Sequence, residues 1–112
     1  FATNTRTFDI IFIDGLHDAL QVLRDVSNAL RVLSDGGTIL LHDCHPHAES
    51  HQLHMSDPNI NMQLWTGDVW KAVVLLRLEE ELDIVVGDFD MGLAVVRRRK
   101  NQAKYPAHFV RN

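Results

Sequence analysis

The sequence has little that would suit an extracellular, membrane-spanning or nucleic-acid-binding protein. A single cysteine among 112 residues excludes an internal disulfide and is typical of a reducing compartment, so we expect a cytoplasmic location. No apolar run approaches the roughly 20 residues of a membrane span, and no signal-peptide pattern opens the chain. The formal charge is -4, and the basic cluster at Arg98, Arg99 and Lys100 is too small to indicate a nucleic-acid surface. We therefore expect neither a membrane nor a nucleic acid as partner.

Two short apolar runs are present, and each one ends in polar residues. Phe8 to Ile13 is nearly continuous in its apolar character, and so is Thr38 to Leu41. Such runs are typical of parallel strands that are covered on both faces. Polar residues at the carboxyl ends of these strands lie where open α/β sheets bind ligands. We therefore predict two neighbouring strands and one functional rim, which would hold Asp14, His17, His42, Asp43, Cys44 and His45.

The residues between the two runs have a helical periodicity. Apolar side chains recur at three- and four-residue intervals from Ala19 to Leu33, which predicts a helix with one buried face that begins at Gly15 or Asp18. The glycine pair in Ser34-Asp35-Gly36-Gly37 then predicts the end of the helix, because glycine adopts the left-handed backbone that closes helices. Strand, helix and strand together form a βαβ unit with a right-handed crossover.

The second half of the sequence predicts a loop, a helix and a hairpin. Residues 43–67 have no periodicity, and a loop of this length is usually functional or disordered. Asp68 can cap a helix that reaches about Glu80 or Glu81. Strands at Asp83 to Val86 and at Gly92 to Arg97 have a connection so short that they must pair antiparallel.

Three sequence motifs accompany this order of elements and resemble segments of a known family. They are FDIIFIDGLH at residues 8–17, LSDGGTILLHD at 33–43 and WTGDVWK at 65–71. The first resembles the fourth strand of class I S-adenosylmethionine-dependent methyltransferases of the small-molecule O-methyltransferase-like branch. The second is similar to the LxPGGxxxxHD segment that enters their fifth strand, with Asp35 at the usual proline. The third resembles a segment of one uncharacterised subset of that branch.

The resemblance implies an α/β fold that corresponds to the C-terminal half of a Rossmann-like methyltransferase sheet. Residues 1–112 would form a single partial domain with two parallel strands and a terminal antiparallel hairpin, in the order first, second, fourth, third. Members of the family bind the cofactor chiefly through an earlier strand, a glycine-rich turn and an acid after the next strand. No such segment occurs here, so no residue of this chain is predicted to bind S-adenosylmethionine. Because the chain begins with Phe1 rather than Met, we expect a fragment or a processed product.

The implied function is methyl transfer from S-adenosylmethionine to a small-molecule hydroxyl by the complete protein, with the isolated chain inactive. In the catechol O-methyltransferase-like relatives, acids after the fourth and fifth strands bind a divalent cation, and Asp14 and Asp43 match those positions. Cys44 stands where these relatives have asparagine. The candidate catalytic residues are Asp14 and His17, with His17 as general base. His42 and Trp65 are the candidates for substrate binding.

Several alternatives remain open at the level of the residues. Asp14 and Asp43 could cap a helix and a turn, and His17 could simply bond to Asp14 or to the backbone. Trp70 is expected to pack in the core, and Trp65 could equally pack there or line a pocket. Cys44 has no motif that would support a role as nucleophile. A zinc site could be formed by Cys44 with the histidines of the loop, which are His42, His45, His47, His51 and His54.

The alternative function is a non-catalytic remnant or an interaction module. The strand at Phe8 to Ile13 would lie at an uncovered edge of the half-sheet, with Ile10, Ile11 and Phe12 expected to be exposed. An apolar edge of this kind favours pairing with another chain. We therefore expect a homo-oligomer that forms through this strand.

Overall fold

The computed structural model describes residues 6–46, 49–53, 56–58, 65–88 and 91–102. Its elements are β1 (Phe8–Ile13), α1 (Ala19–Val32), β2 (Leu33–Leu41), a short 3₁₀ helix (Glu49–Gln52), α2 (Val69–Leu76), β3 (Asp83–Gly87) and β4 (Leu93–Arg97). The strands form one sheet in the order β1-β2-β4-β3, in which β1 and β2 are parallel and the other pairs are antiparallel. The predicted fold class and strand order are therefore confirmed.

The core lies between the two helices and one face of the sheet. Val26 and Ala29 of α1 and Ala72 of α2 are fully buried in one cluster with the alternate strand residues Ile39, Leu41, Ala94 and Val96. The opposite face carries a row that crosses all four strands, since Phe12 is paired with Leu40, Leu40 with Val95, and Val95 with Val85. Phe12 is 56% exposed and Val85 60%. Both described helices thus cover the same face.

Two aspartates determine how α1 begins. Asp18 is the N-cap, and its Oδ2 accepts a hydrogen bond from the Gln21 N–H at 3.1 Å. The Oδ1 of Asp68, which lies 49 residues away, accepts from the Ala19 N–H at 2.8 Å. Asp68 is also the N-cap residue of α2, as predicted, but its side chain makes no cap hydrogen bond there. Its Oδ2 lies 3.8 Å from Nζ of Lys71, while the hydrogen bond of Oδ1 is to α1.

The transition from α1 to β2 differs from its prediction. The helix ends at Val32 and the strand begins directly at Leu33, so the glycine pair lies inside β2 and does not end the helix. Pairing of Leu33 with Phe8 extends the strand, and Gly36 takes a φ of 75° near the register shift between Phe8 and Ile10. Arg98 donates from Nη2 to the carbonyls of Leu30 and Leu33, at 2.7 and 3.3 Å.

Helix α2 ends at Leu76, four or five residues before the predicted end. Three consecutive glutamates, Glu79 to Glu81, follow at the carboxyl end, where the helix dipole disfavours negative charge. The Asn101 side chain instead donates to the carbonyl of Arg77 at 2.7 Å. Within the described ranges, neither helix is long and apolar enough to cross a membrane.

Candidate active site

The carboxyl ends of β1 and β2 bring Asp14, His17 and Asp43 together. The two strands run side by side up to the pair Ile13 and Leu41, and the His42 N–H then donates to the carbonyl of Ile13 at 3.1 Å. One ligand atom from each of Asp14, His17 and Asp43 lies within 4.8 Å of the others. The residues predicted at one rim from separate motifs are therefore neighbours in space.

Asp43 is the centre of this cluster. Its Oδ2 lies 2.8 Å from Nε2 of His17 and 3.0 Å from Nδ1 of His42. The side chain of Asp43 is 8% exposed, whereas that of Asp14 is 44% exposed and lies 3.5 Å from the same His42 nitrogen. Asp43 thus contacts both imidazoles from the buried side of the site, and Asp14 lies on the side that is exposed to solvent.

The backbone of Asp43 is in the left-handed region, with a φ of 63°. For a residue other than glycine this conformation costs about 1–2 kcal/mol. Strained residues of this kind cluster at functional sites, where the surrounding structure holds them in place. The strain is therefore a second observation, besides the paired imidazoles, that marks Asp43 as a functional candidate.

His17 is oriented from two sides. Its Nε2 contacts Asp43, while its Nδ1 is buried and has no hydrogen-bond partner among the residues that the structure describes. If Nε2 carries the proton and donates it to Asp43, Nδ1 is the basic nitrogen. On the other side, the ring lies against Trp65, with ring centroids 4.7 Å apart.

The end of the long loop fixes Trp65 and, through it, His17. The indole Nε1 of Trp65 donates to the carbonyl of Leu53 at 2.7 Å, and Thr66 donates to the carbonyl of His51 at 3.0 Å. Gly67 has a φ of 63° and approaches His17 so closely that an added Cβ would collide with its carbonyl oxygen. Gly67 was not among the predicted site residues, although the WTGDVWK motif contains it.

The alternative roles of Cys44 and the loop histidines find little support. The Cys44 thiol donates to the carbonyl of Leu41 at 3.3 Å, and burial raises its pKa to about 12, so it is a poor nucleophile. Among the residues that the structure describes, only the cluster of Asp14, His17 and Asp43 has the geometry of a metal site. His47 and His54 lie outside the described residues.

Comparisons with known proteins agree with this fold. Residues 1–44 match the model of a methyltransferase domain family. The structure is similar to that of the SAH-bound methyltransferase PaMTH1 from Podospora anserina, with 21% sequence identity and a TM-score of 0.65 over 88% of this chain and 44% of that one. The chain thus spans less than half the length of that protein, and no curated protein sequence matches it significantly. Residues 1–44 are thus similar to a methyltransferase domain, and the structure has the fold of part of a methyltransferase.

Proposed function

We propose that this chain forms the acceptor side of a methyltransferase active site and that the complete protein methylates a small-molecule hydroxyl. The observation that carries the proposal is the cluster of two carboxylates and one imidazole at the ends of β1 and β2. Ligands bind at this edge in open α/β sheets. S-adenosylmethionine would supply the methyl group, and the residues of this chain would hold the acceptor.

Asp14 and Asp43 are proposed as ligands of a divalent cation such as Mg²⁺. Carboxylate oxygens are the ligands that this hard cation prefers, so the donor set fits it. A bound cation would orient the acceptor oxygen and lower the pKa of its hydroxyl. His17 lies close enough to serve as a third ligand in place of the asparagine that the metal-binding relatives have.

His17 has an alternative role as general base, for which its bond to Asp43 provides the support. The Asp43 carboxylate would stabilise the imidazolium that forms when His17 takes the proton of the acceptor hydroxyl. The acceptor oxygen would then bond to the methyl carbon as the carbon–sulfur bond breaks. Trp65 and His42 flank this position and are proposed to contact the acceptor.

Titration of Mn²⁺ into the chain, followed by calorimetry, tests the cation site. Asp14→Asn and Asp43→Asn should each weaken binding by about tenfold or more, because each removes one of the two carboxylates. Asp35→Asn, at an exposed position of β2, is the matched control and should bind normally. Unchanged affinity in both site variants would place any cation site elsewhere.

A His17→Gln variant separates the two roles of the imidazole. As a ligand, His17 would be needed for full Mn²⁺ affinity. As a base, it would be dispensable for Mn²⁺ binding but needed for methyl transfer in a protein that joins this chain to a cofactor-binding half. Loss of neither property would remove His17 from the proposed site.

The isolated chain is proposed to be inactive and to bind S-adenosylmethionine weakly, since it has no glycine-rich turn or ribose-binding acid. Calorimetry with S-adenosylmethionine provides the test. A dissociation constant in the low micromolar range corresponds to about 8 kcal/mol of binding free energy, which these residues should not supply. Such an affinity would contradict the proposal that another part of the protein binds the cofactor.

A second candidate function is self-association through β1, with or without catalysis. The observation in its favour is that β1 lies at an edge of the sheet, with Ile10 68% exposed and Phe12 56%. The single buried thiol supports, for either function, the proposal of a reducing, cytoplasmic location.

A further inference from the structure

A second concave site lies on the other side of Asp43, between α2 and the β3–β4 hairpin. It is a cavity of about 370 Å³, within the range of roughly 300–1,000 Å³ that is usual for small-molecule sites. Its walls include Trp70, Val73 and Arg77 of α2, Val86 of β3, and Cys44 and His45. The residues of the proposed active site that were named above do not line it.

Two polar groups of this cavity have no acceptor in the described part of the chain. The indole Nε1 of Trp70 and the Nε of Arg77 are buried and have no hydrogen-bond partner among the described residues. Trp70 and Arg77 are seven residues apart, so two turns of helix place them on the same side of α2. An unpaired buried donor is destabilising, because it has lost water without gaining a protein acceptor.

Arg77 also has no ion-pair partner in the described part of the chain, although the chain carries an excess of acidic residues. The two arginines that follow β4 have internal acceptors: Arg98 donates to the carbonyls of Leu30 and Leu33, and Arg99 binds Asp83. Arg77 instead contributes a guanidinium to the wall of an apolar cavity.

We propose that this cavity binds a small, partly apolar carboxylate. The carboxylate oxygens would accept hydrogen bonds from Arg77 and Trp70, and the body of the ligand would pack against Trp70, Val73 and Val86. A guanidinium matches the planar geometry of a carboxylate, and the resulting bonds are charge-assisted. One cation in an apolar surrounding balances one negative charge, which favours a monoanion over the more highly charged phosphate.

Benzoate is a suitable probe, and the two tryptophans provide the readout. In a ¹H–¹⁵N correlation spectrum of the chain, the indole N–H of Trp70 should shift in a saturable way on addition of benzoate, with a dissociation constant of about 1 mM or below. The indole N–H of Trp65 already donates to Leu53 and should move much less. Benzamide, which has the same shape without the charge, should bind about tenfold more weakly. Inorganic phosphate should give no saturable shift.

Variants at Arg77 test the cation directly. Arg77→Gln should weaken benzoate binding by about tenfold or more, and Arg77→Lys, which keeps the charge, should retain part of the affinity. Arg24→Gln removes the same charge from an exposed position of α1 and should leave binding unchanged. The comparison of benzoate with benzamide uses the unmodified chain. It therefore tests whether binding requires the negative charge of the ligand even if Arg77→Gln does not fold.

Three results would overturn the proposal: no saturable shift at Trp70, equal affinity for benzoate and benzamide, or unchanged benzoate affinity in a folded Arg77→Gln variant. The inference does not depend on the proposed methyl transfer. A chain that fails to bind Mn²⁺ could still bind benzoate, and a chain that fails to bind benzoate could still bind Mn²⁺.

Discussion

Asp43 and Cys44 are neighbours in the sequence, but their side chains contact different surroundings. The Asp43 carboxylate contacts two imidazoles, whereas the Cys44 thiol contacts the carbonyl of Leu41 and lines the cavity beside α2. The left-handed backbone of Asp43 accompanies this change of direction. One short segment thus contributes to both candidate binding sites.

The surroundings of Cys44 predict that its thiol reacts slowly in the folded chain. Burial raises its pKa from 9.0 to about 12, so at pH 8 the thiolate fraction is about a thousandfold lower than for an ordinary thiol. Alkylation by iodoacetamide at pH 8, followed by mass spectrometry, should therefore be slow in buffer and fast in concentrated urea. Equally fast alkylation in buffer would show that the thiol is accessible and ionised.

At the scale of the elements, helices and strands are connected by side chains that are remote in sequence. Asp68 stands at the start of α2 but binds the first turn of α1. Arg98 and Asn101, which follow β4, donate to the carbonyl ends of α1 and α2. Arg98 and Asn101 therefore have an internal structural role at the carboxyl ends of the two helices.

Loss of the Asp68 carboxylate should destabilise the fold, because it removes a hydrogen bond between the start of α2 and the first turn of α1. Asp68→Ala leaves the Ala19 N–H without its acceptor and should lower the free energy of unfolding by about 1–2 kcal/mol. Urea unfolding provides the measurement. Asp68→Asn keeps an oxygen acceptor and should lose less, while Asp35→Ala, at an exposed site, is the control. A wild-type midpoint for Asp68→Ala would contradict the role of this bond.

The Asp83–Arg99 pair predicts a dependence of stability on pH. The hydrogen bond from Arg99 Nε, at 2.7 Å, holds the pKa of Asp83 below its ordinary value of 3.8. A lowered pKa means that the carboxylate stabilises the fold above pH 3.8 and that this contribution is lost as the pH falls through the lower value of the folded state.

Asp83→Asn should therefore unfold at lower urea concentration than the unmodified chain at pH 7, and the difference should shrink at acid pH. Arg99→Gln should follow the same pattern, because it removes the other partner. A destabilisation that is equal at both pH values would mean that the charge of Asp83 is not what matters.

At the scale of the whole molecule, the outer strand β1 is an unpaired edge of the described sheet that exposes several large apolar side chains. Phe8, Ile10 and Phe12 point to the face opposite the helices, whereas Ile11 packs against the core. The expectation that Ile11 is exposed is therefore wrong, since successive side chains of a strand point to opposite faces. Its neighbours Ile10 and Phe12 are the positions at which an interface can be tested.

Self-association through β1 remains a prediction. A second copy could pair its own β1 alongside, and burial of Ile10 and Phe12 would contribute roughly 1.5–3 kcal/mol each. Sedimentation equilibrium should show a dimer that Ile10→Lys weakens by at least about tenfold, because the substitution places a charge in the interface. Val85→Lys, on the other outer strand, should not weaken it. A folded monomer at high concentration would refute this prediction.

The amino-acid sequence determined the parts of this protein that depend on local pattern. Helical periodicity located α1, apolar runs located the strands, and the short connection required the terminal hairpin. Because the carboxyl ends of neighbouring parallel strands meet at one edge, the sequence also placed Asp14, His17 and Asp43 in one cluster. Motif resemblance supplied the strand order, which no local pattern contains.

Only the tertiary structure decided the contacts between residues that are distant in the chain. Pairing of Leu33 with Phe8 made β2 begin before the glycines, although the glycines predicted the end of a helix there. The carboxylate of Asp68 accepts a backbone hydrogen bond from α1 and none from the first turn of its own helix. The unpaired donors of Trp70 and Arg77 became visible only with the cavity that they line. Hydrogen-bond satisfaction depends on which groups the fold brings within about 3 Å, and residue type and spacing do not specify that.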